Sequence, residues 1–124
     1  MIPMSLLGLI SVSIASSQLP PCDNCDVGPA WVDDIIIKGD PNTLSKTEIT
    51  ILGKFGNMCG QILSHKGYVD YINRVVNIYL WAEFPSRNCL TAITPFQYDL
   101  SIFFSFKGNW IITCNRVSIS IIVS

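Results

Sequence analysis

Apolar and polar side chains alternate with period two over most of the chain beyond residue 30, the signature of half-buried β-strands. In "RVVNIYLWAE", Val76, Ile78, Leu80 and Ala82 share one face, and in Lys46 to Phe55 the shared face carries Thr47, Ile49, Ile51 and Phe55. The run from Tyr98 sets Tyr98, Leu100, Ile102, Phe104 and Phe106 on one side against Asp99, Ser101, Phe103 and Ser105. The closing "VSISIIVS" alternates Val117, Ile119, Ile121 and Val123 with serines. Trp31 to Lys38 has strand character as well, and Cys59 to Ser64 reads as a shorter strand.

Turn chemistry separates these runs. "GDPN", Gly39 to Asn42, places a φ-fixing proline in a bend. "KGN", Lys107 to Asn109, supplies a glycine free to take positive φ, so "SIFFSFKGNWIITC" predicts a hairpin ending in a strand from Trp110 to Cys114. Asn115 and Arg116 form a further turn, since Asn tolerates the left-handed conformation. Beyond the first 17 residues no helix-period stretch and no internal repeat occurs. The pattern predicts an all-β chain: an immunoglobulin-like, two-sheet antiparallel β-sandwich of about seven strands over residues 30–124, with a small closed barrel as the alternative.

The opening "MIPMSLLGLISVSIASSQLPP" departs from this rhythm. An apolar run from Leu6 to Ala15 followed by small residues resembles a secretory signal peptide over residues 1–17, with cleavage after Ser17. No Lys or Arg precedes the run, and a buried segment of an ordinary domain is the competing reading. The run is much shorter than the roughly 20 residues a spanning helix needs, so no integral membrane segment is expected in the mature chain. Residues 18–29 form a Cys-, Pro- and Asp-rich stretch ahead of the sandwich.

Length and composition narrow the picture. The 124 residues suit a single core, and 49% hydrophobic with 14% charged residues favours a folded chain. A formal net charge of -1 offers nothing to attract nucleic acid.

All five cysteines lie past the leader-like segment, which predicts disulfides in an oxidising compartment and a secreted or periplasmic location. Cys59 and Cys89 sit in turn-rich stretches flanking "VVNIYLWAEF" and are the favoured bridge. Cys114 shares a face with Trp110 and Ile112 and reads as a buried free thiol. Cys22 and Cys25, in "PPCDNC", are half of a zinc site, a redox pair or a fastener. The fastener is preferred, because no second closely spaced pair completes a metal site and prolines stand where a redox helix would begin.

Sites for catalysis are thinly supplied. His65 is the single histidine and reads as a surface-loop residue, and no nucleophile elbow, phosphate loop or H-E-x-x-H motif occurs. The acidic residues Asp23, Asp26, Asp33 and Asp34 lack the calcium-loop spacing and read as a solvated margin. No enzyme and no cofactor is expected. Tyr79, Trp81 and Phe103 lie opposite the predicted core faces; coverage as core is the preferred reading, with an open apolar patch for a protein or carbohydrate partner as the alternative.

In "KTEITILGKFGNMCG", "VNIYLWAEFPSRNC" and "TPFQYDLSIFFSFKGNWIITCN", the positions Gly53, Cys59, Cys89, Pro95, Phe96, Gly108, Trp110 and Asn115 resemble the pattern of small secreted immunoglobulin-like sandwich modules of bacterial envelope proteins. Arg116 stands where such modules usually carry glycine. The resemblance implies a sandwich fold and export, and it assigns no catalytic residues. Together these readings predict a secreted, non-enzymatic binding or structural protein of unknown ligand. The alternatives are a hydrolase inhibitor presenting the 83–90 loop and a small metal-binding protein using Cys22 and Cys25.

Overall fold

A computed structural model describes residues 10–11, 25–85 and 89–124, and these fold into two sheets without a helix. The strands are β1 (Ile10–Ser11), β2 (Cys25–Pro29), β3 (Trp31–Lys38), β4 (Thr47–Phe55), β5 (Gln61–Asp70), β6 (Val75–Pro85), β7 (Thr94–Ile102), β8 (Gly108–Cys114) and β9 (Val117–Val123). One sheet runs β1-β7-β4-β3. The other is built on β6, which pairs with β5 on one edge and with both β2 and β8 on the other, while β9 continues from β8.

The alternating apolar faces meet between the sheets. Ile49 and Ile51 of β4, Leu100 and Ile102 of β7, Val76, Ile78, Leu80 and Ala82 of β6, and Trp110, Ile112 and Cys114 of β8 form one buried cluster. Burial of each Val, Leu and Ile in this cluster stabilises the fold by roughly 1.5 to 3 kcal/mol before entropy is counted. β3 keeps Val32 and Ile35 inside, although they are three residues apart, because a bulge between Val32 and Asp34 resets the alternation.

Several expectations need correcting. β7 and β8 do not form a hairpin: β7 belongs to the four-stranded sheet and β8 to the five-stranded one, so residues 103–107 cross between layers. β7 stops at Ile102, Phe104 plugs the space between layers against Trp110 at 5.2 Å, and Phe106 is exposed. Gly108 does adopt positive φ, at 117°, but as the entry to β8 instead of a hairpin turn. The sheets are also not wholly antiparallel, since β6 and β8 run parallel. β5 is ten residues long and contains His65, which is a half-buried strand residue, not a loop residue. β2 lies inside the stretch read as preceding the sandwich and pairs with β6. Of the leader-like residues, Ile10 and Ser11 pair with Ile102 and Ser101 of β7, and the others lie outside the described residues.

The edge of β6 shows why Asn115 stands where it does. β8 covers Val75 to Ile78 and β2 covers Trp81 to Pro85, which leaves a gap at the middle of the strand. Asn115, at φ 53°, fills it. Its Oδ1 accepts from the Leu80 amide at 3.0 Å, its Nδ2 donates to the carbonyls of Leu80 at 3.1 Å and Ala30 at 2.7 Å, and its own amide donates to Ile78 at 3.1 Å. The carboxamide thus acts as a one-residue strand: it pairs the Leu80 amide and joins the Ala30 amide, at 2.9 Å, on the Leu80 carbonyl.

Asn115→Ala should lower stability by about 2 to 4 kcal/mol, through lost partners and a strained left-handed alanine. Asn115→Gly removes the strain while keeping the lost bonds, so it should recover only part of the deficit. Urea denaturation measures both, and an Asn115→Ala protein as stable as the parent would refute the bridging role.

Candidate functional site

The two outer faces of the molecule differ in chemistry. On the four-stranded sheet, cross-strand neighbours are Lys38 with Glu48, Thr50 with Asp99, and Leu52 with Gln97. Thr50 donates its hydroxyl to Asp99 at 2.7 Å. That face is mostly polar and charged. On the five-stranded sheet the outward positions carry Tyr79 and Trp81 on β6, Tyr68 on β5, Val27 and Pro29 on β2, and Ile111 on β8, together with Lys66 and Asp70 on β5 and Glu83 on β6, which is buried between Val27 and Gln61. Tyr68 is 49% exposed, Tyr79 45% and Trp81 40%, so these rings remain open to solvent.

The register draws this face. Pro29 and Ser64 flank Trp81 on its two sides, Lys66 stands opposite Tyr79, and Tyr68 opposite Asn77. The Tyr68 and Tyr79 rings meet edge to face at 5.9 Å. Thr113 donates to Asn77 Oδ1 at 2.9 Å, which orients that amide beside the rings. Along β6 the surface continues past Val75 to Ile111, a length of about 20 Å from Trp81 at strand rise. It ends in a shallow depression of about 720 Å³ whose walls include Asn73, Asn109, Ile111, Ser120 and Ile122. Flat rings beside neutral amides and hydroxyls suit a ligand with apolar faces and a polar periphery.

Of the rings singled out from sequence, Tyr79 and Trp81 are therefore neighbours on one open face. Phe103 is 37% exposed but follows β7 at the start of the crossover, and it does not belong to that face. Tyr68 escaped notice because its strand was read only as far as Ser64. The alternation of β5 is blurred by the bulge between Ile62 and Ser64 and by His65 and Gly67 on its inner side.

Cys59 and Cys89 are joined in a disulfide, with Cα atoms 5.8 Å apart and a sequence separation of 30. It ties the β4–β5 turn to the segment after β6, where the Met58 amide also donates to the Leu90 carbonyl at 3.1 Å. Closing a loop of this length contributes roughly 3 to 4 kcal/mol in the chain-entropy account. Cys114 is a free thiol, fully buried, and burial pushes it up to about 12. Cys22 lies outside the described residues and Cys25 opens β2, so the metal reading of that pair falls largely outside them as well. Among the described residues no group of three or more metal-ligating side chains occurs. Residues 86–88 of the loop proposed for an inhibitor also lie outside the described part.

His65 is directed into the space between the sheets. Its Nδ1 stands 2.7 Å from the Tyr98 hydroxyl, and the rings contact edge to face at 5.6 Å. Burial lowers the His65 pKa and raises that of Tyr98, so the neutral pair is favoured.

Comparison with family models, with curated proteins and with solved structures finds no match to this chain. Among the described residues no helix is long and apolar enough to cross a membrane.

Two measurements check the buried groups. The His65 pKa is lower folded than unfolded, so the unfolded chain takes up its proton first. Stability is therefore full above the unfolded value of 6.5 and falls as pH drops through it toward the folded value. Urea midpoints between about pH 7.5 and 5.5 should show that decline, and His65→Phe should flatten it. Iodoacetamide near pH 8 should leave Cys114 unmodified in the native protein and label it once denaturant is added. Rapid native labelling would contradict its burial.

Proposed function

We propose that the chain is an exported, non-enzymatic binding module of the immunoglobulin-like sandwich type, and that the outer face of its five-stranded sheet takes a glycan. The observation carrying this reading is the open cluster of rings on one outer face: Tyr68, Tyr79 and Trp81 stand beside Ser64, Asn77 and Thr113, with the face's charges limited to Lys66 and Asp70 on the β5 edge and the buried Glu83. Sugars offer C–H faces that stack on aromatic rings and hydroxyls that hydrogen-bond neutral amides, and this surface supplies both. The depression at its far end, with Asn73, Asn109 and Ser120, extends the polar complement for a chain of several units.

Export is supported by the Cys59–Cys89 disulfide, since such bonds persist in oxidising compartments, and by the leader-like opening residues. The non-enzymatic reading rests on the two groups best suited to chemistry. His65 is engaged with Tyr98 between the sheets, and the free thiol of Cys114 is buried and held protonated. Neither faces the aromatic surface.

Binding to a panel of immobilised polysaccharides and cell-envelope fractions tests the proposal. Trp81→Ser and Tyr79→Ser should each weaken retention about tenfold, equivalent to about 1.4 kcal/mol, without changing the circular dichroism of the fold. Phe103→Ser should retain binding. Absence of retention on every glycan, or equal loss in all three variants, would reject this face as the site.

A further inference from the structure

A second feature lies away from that face, at the end of the molecule closed by the disulfide. Trp31, Lys54, Phe55, Gly56 and Ile93 line a hollow of about 320 Å³. Its walls are apolar except for Lys54. Large apolar side chains stay unburied around this end: Trp31 is 47% exposed, Met58 58%, Leu90 72% and Ile93 75%.

The charges around Trp31 are held in place. The β3 bulge puts Asp33 where its carboxylate accepts from Trp31 Nε1 at 2.8 Å and pairs with Lys54 at 3.5 Å. Lys54 Nζ also lies 5.7 Å from the Trp31 ring centre, and the Arg116 guanidinium lies 4.7 Å from it. Arg116 is brought there by Asn115, whose side chain grips the carbonyl of Ala30, the residue before Trp31. A guanidinium stacked on a ring uses its face for the contact and keeps its in-plane N–H donors for other partners. The 3.5 Å Lys54–Asp33 separation exceeds a charge-assisted hydrogen bond, so the ammonium keeps donors to offer as well. Lys54 lines the hollow and Arg116, outside that lining, lies over the same Trp31 ring, so two cations stand around this ring against the one carboxylate of Asp33.

We infer that this hollow is a binding site for a small organic carboxylate with a short apolar tail, the tail lying against Trp31, Phe55 and Ile93 and the carboxylate reached by Lys54 and Arg116. Charge complementarity selects the anion, and the apolar lining selects the tail. The Cys59–Cys89 disulfide restrains the segments that follow Gly56 and precede Ile93, which lowers the ordering cost of binding.

Octanoate, octanol and octylamine, titrated calorimetrically into the full chain, separate the contributions of head and tail. Octanoate should bind saturably at one site per chain, with octanol and octylamine at least about tenfold weaker, the order expected for losing one charge-assisted hydrogen bond. The double variant Lys54→Gln, Arg116→Gln should weaken octanoate by a similar factor, and Ile93→Asp, which sets a like charge against the tail pocket, should abolish binding. Circular dichroism and urea midpoints confirm that each variant is folded. Trp81→Ser should bind octanoate as the parent does, which keeps this result separate from the glycan face. No saturable octanoate binding up to millimolar concentration, equal binding of octanol, full binding by the folded double variant, or loss on Trp81→Ser would each overturn the assignment.

Discussion

The five-stranded sheet depends on a single carboxamide. A continuous sheet edge normally accepts one neighbouring strand, but the edge of β6 accepts β8 along its first residues and β2 along its last. Two strands arriving from opposite ends leave a strip of backbone that neither covers, and buried amides and carbonyls tolerate no such vacancy. Asn115 supplies a peptide-like donor and acceptor at that strip, and it can do so because Asn accepts the left-handed backbone that turns β8 into β9. The same residue therefore closes a hairpin, completes a sheet and fixes Ala30, where the chain leaves one layer for the other.

That arrangement determines what surrounds it. With Ala30 fixed between β2 and β3, Trp31 is the first residue of the second sheet, and Arg116, next to Asn115, is carried over its ring. Gly53 shares in the constraint, because a Cβ there would overlap the Trp31 carbonyl oxygen and the Phe96 ring. Phe96 in turn covers Gly53 and packs on Phe55 at 4.8 Å, replacing with an aromatic the side chain that the strand lacks. The apolar hollow beside Trp31 is thus walled by residues whose positions follow from the sheet switch and not from loop geometry alone.

Much of this was legible in the chain itself, for a simple reason. Where one face of a strand is wholly buried, period-two alternation is enforced on that face, and β4, β6, β7 and β8 keep it at every second position even though Thr50, Glu83 and Ser101 on their outer faces are buried as well. Legibility fails where other constraints intervene. β5 sits at an edge with a bulge, so its inner face admits His65 and Gly67 and the pattern dissolves after Ser64. The glycine at 108 signals positive φ, but the same signal serves a hairpin and an interlayer crossover, and only the pairing of β7 with β4 distinguishes them. The parallel pairing of β6 with β8 leaves no local trace at all, because pairing direction is a property of connectivity. The aromatic face was half visible: Tyr79 and Trp81 stood out against the core positions, but their exposure depends on nothing covering that side of the sheet.

An open aromatic face carries an aggregation hazard, and the way the edges are treated shows where the molecule tolerates it. Exposed strand edges recruit further strands unless bulged, charged or tied down. β5 carries a bulge together with Lys66 and Asp70, and β3 carries a bulge beside Asp33 and Asp34. β9 ends under restraint, its following residue Ser124 donating to the Pro41 carbonyl and accepting from the Thr43 amide, both at 3.1 Å. These edges are therefore defended with geometry and charge, whereas the rings of Tyr68, Tyr79 and Trp81 stay open between Lys66 and Asp70 on β5 and the buried Glu83 on β6. Solubility alone would favour charged side chains in place of those three rings, as on the opposite face. Three adjacent open rings on a sheet face are the physical ground for the binding surface proposed above.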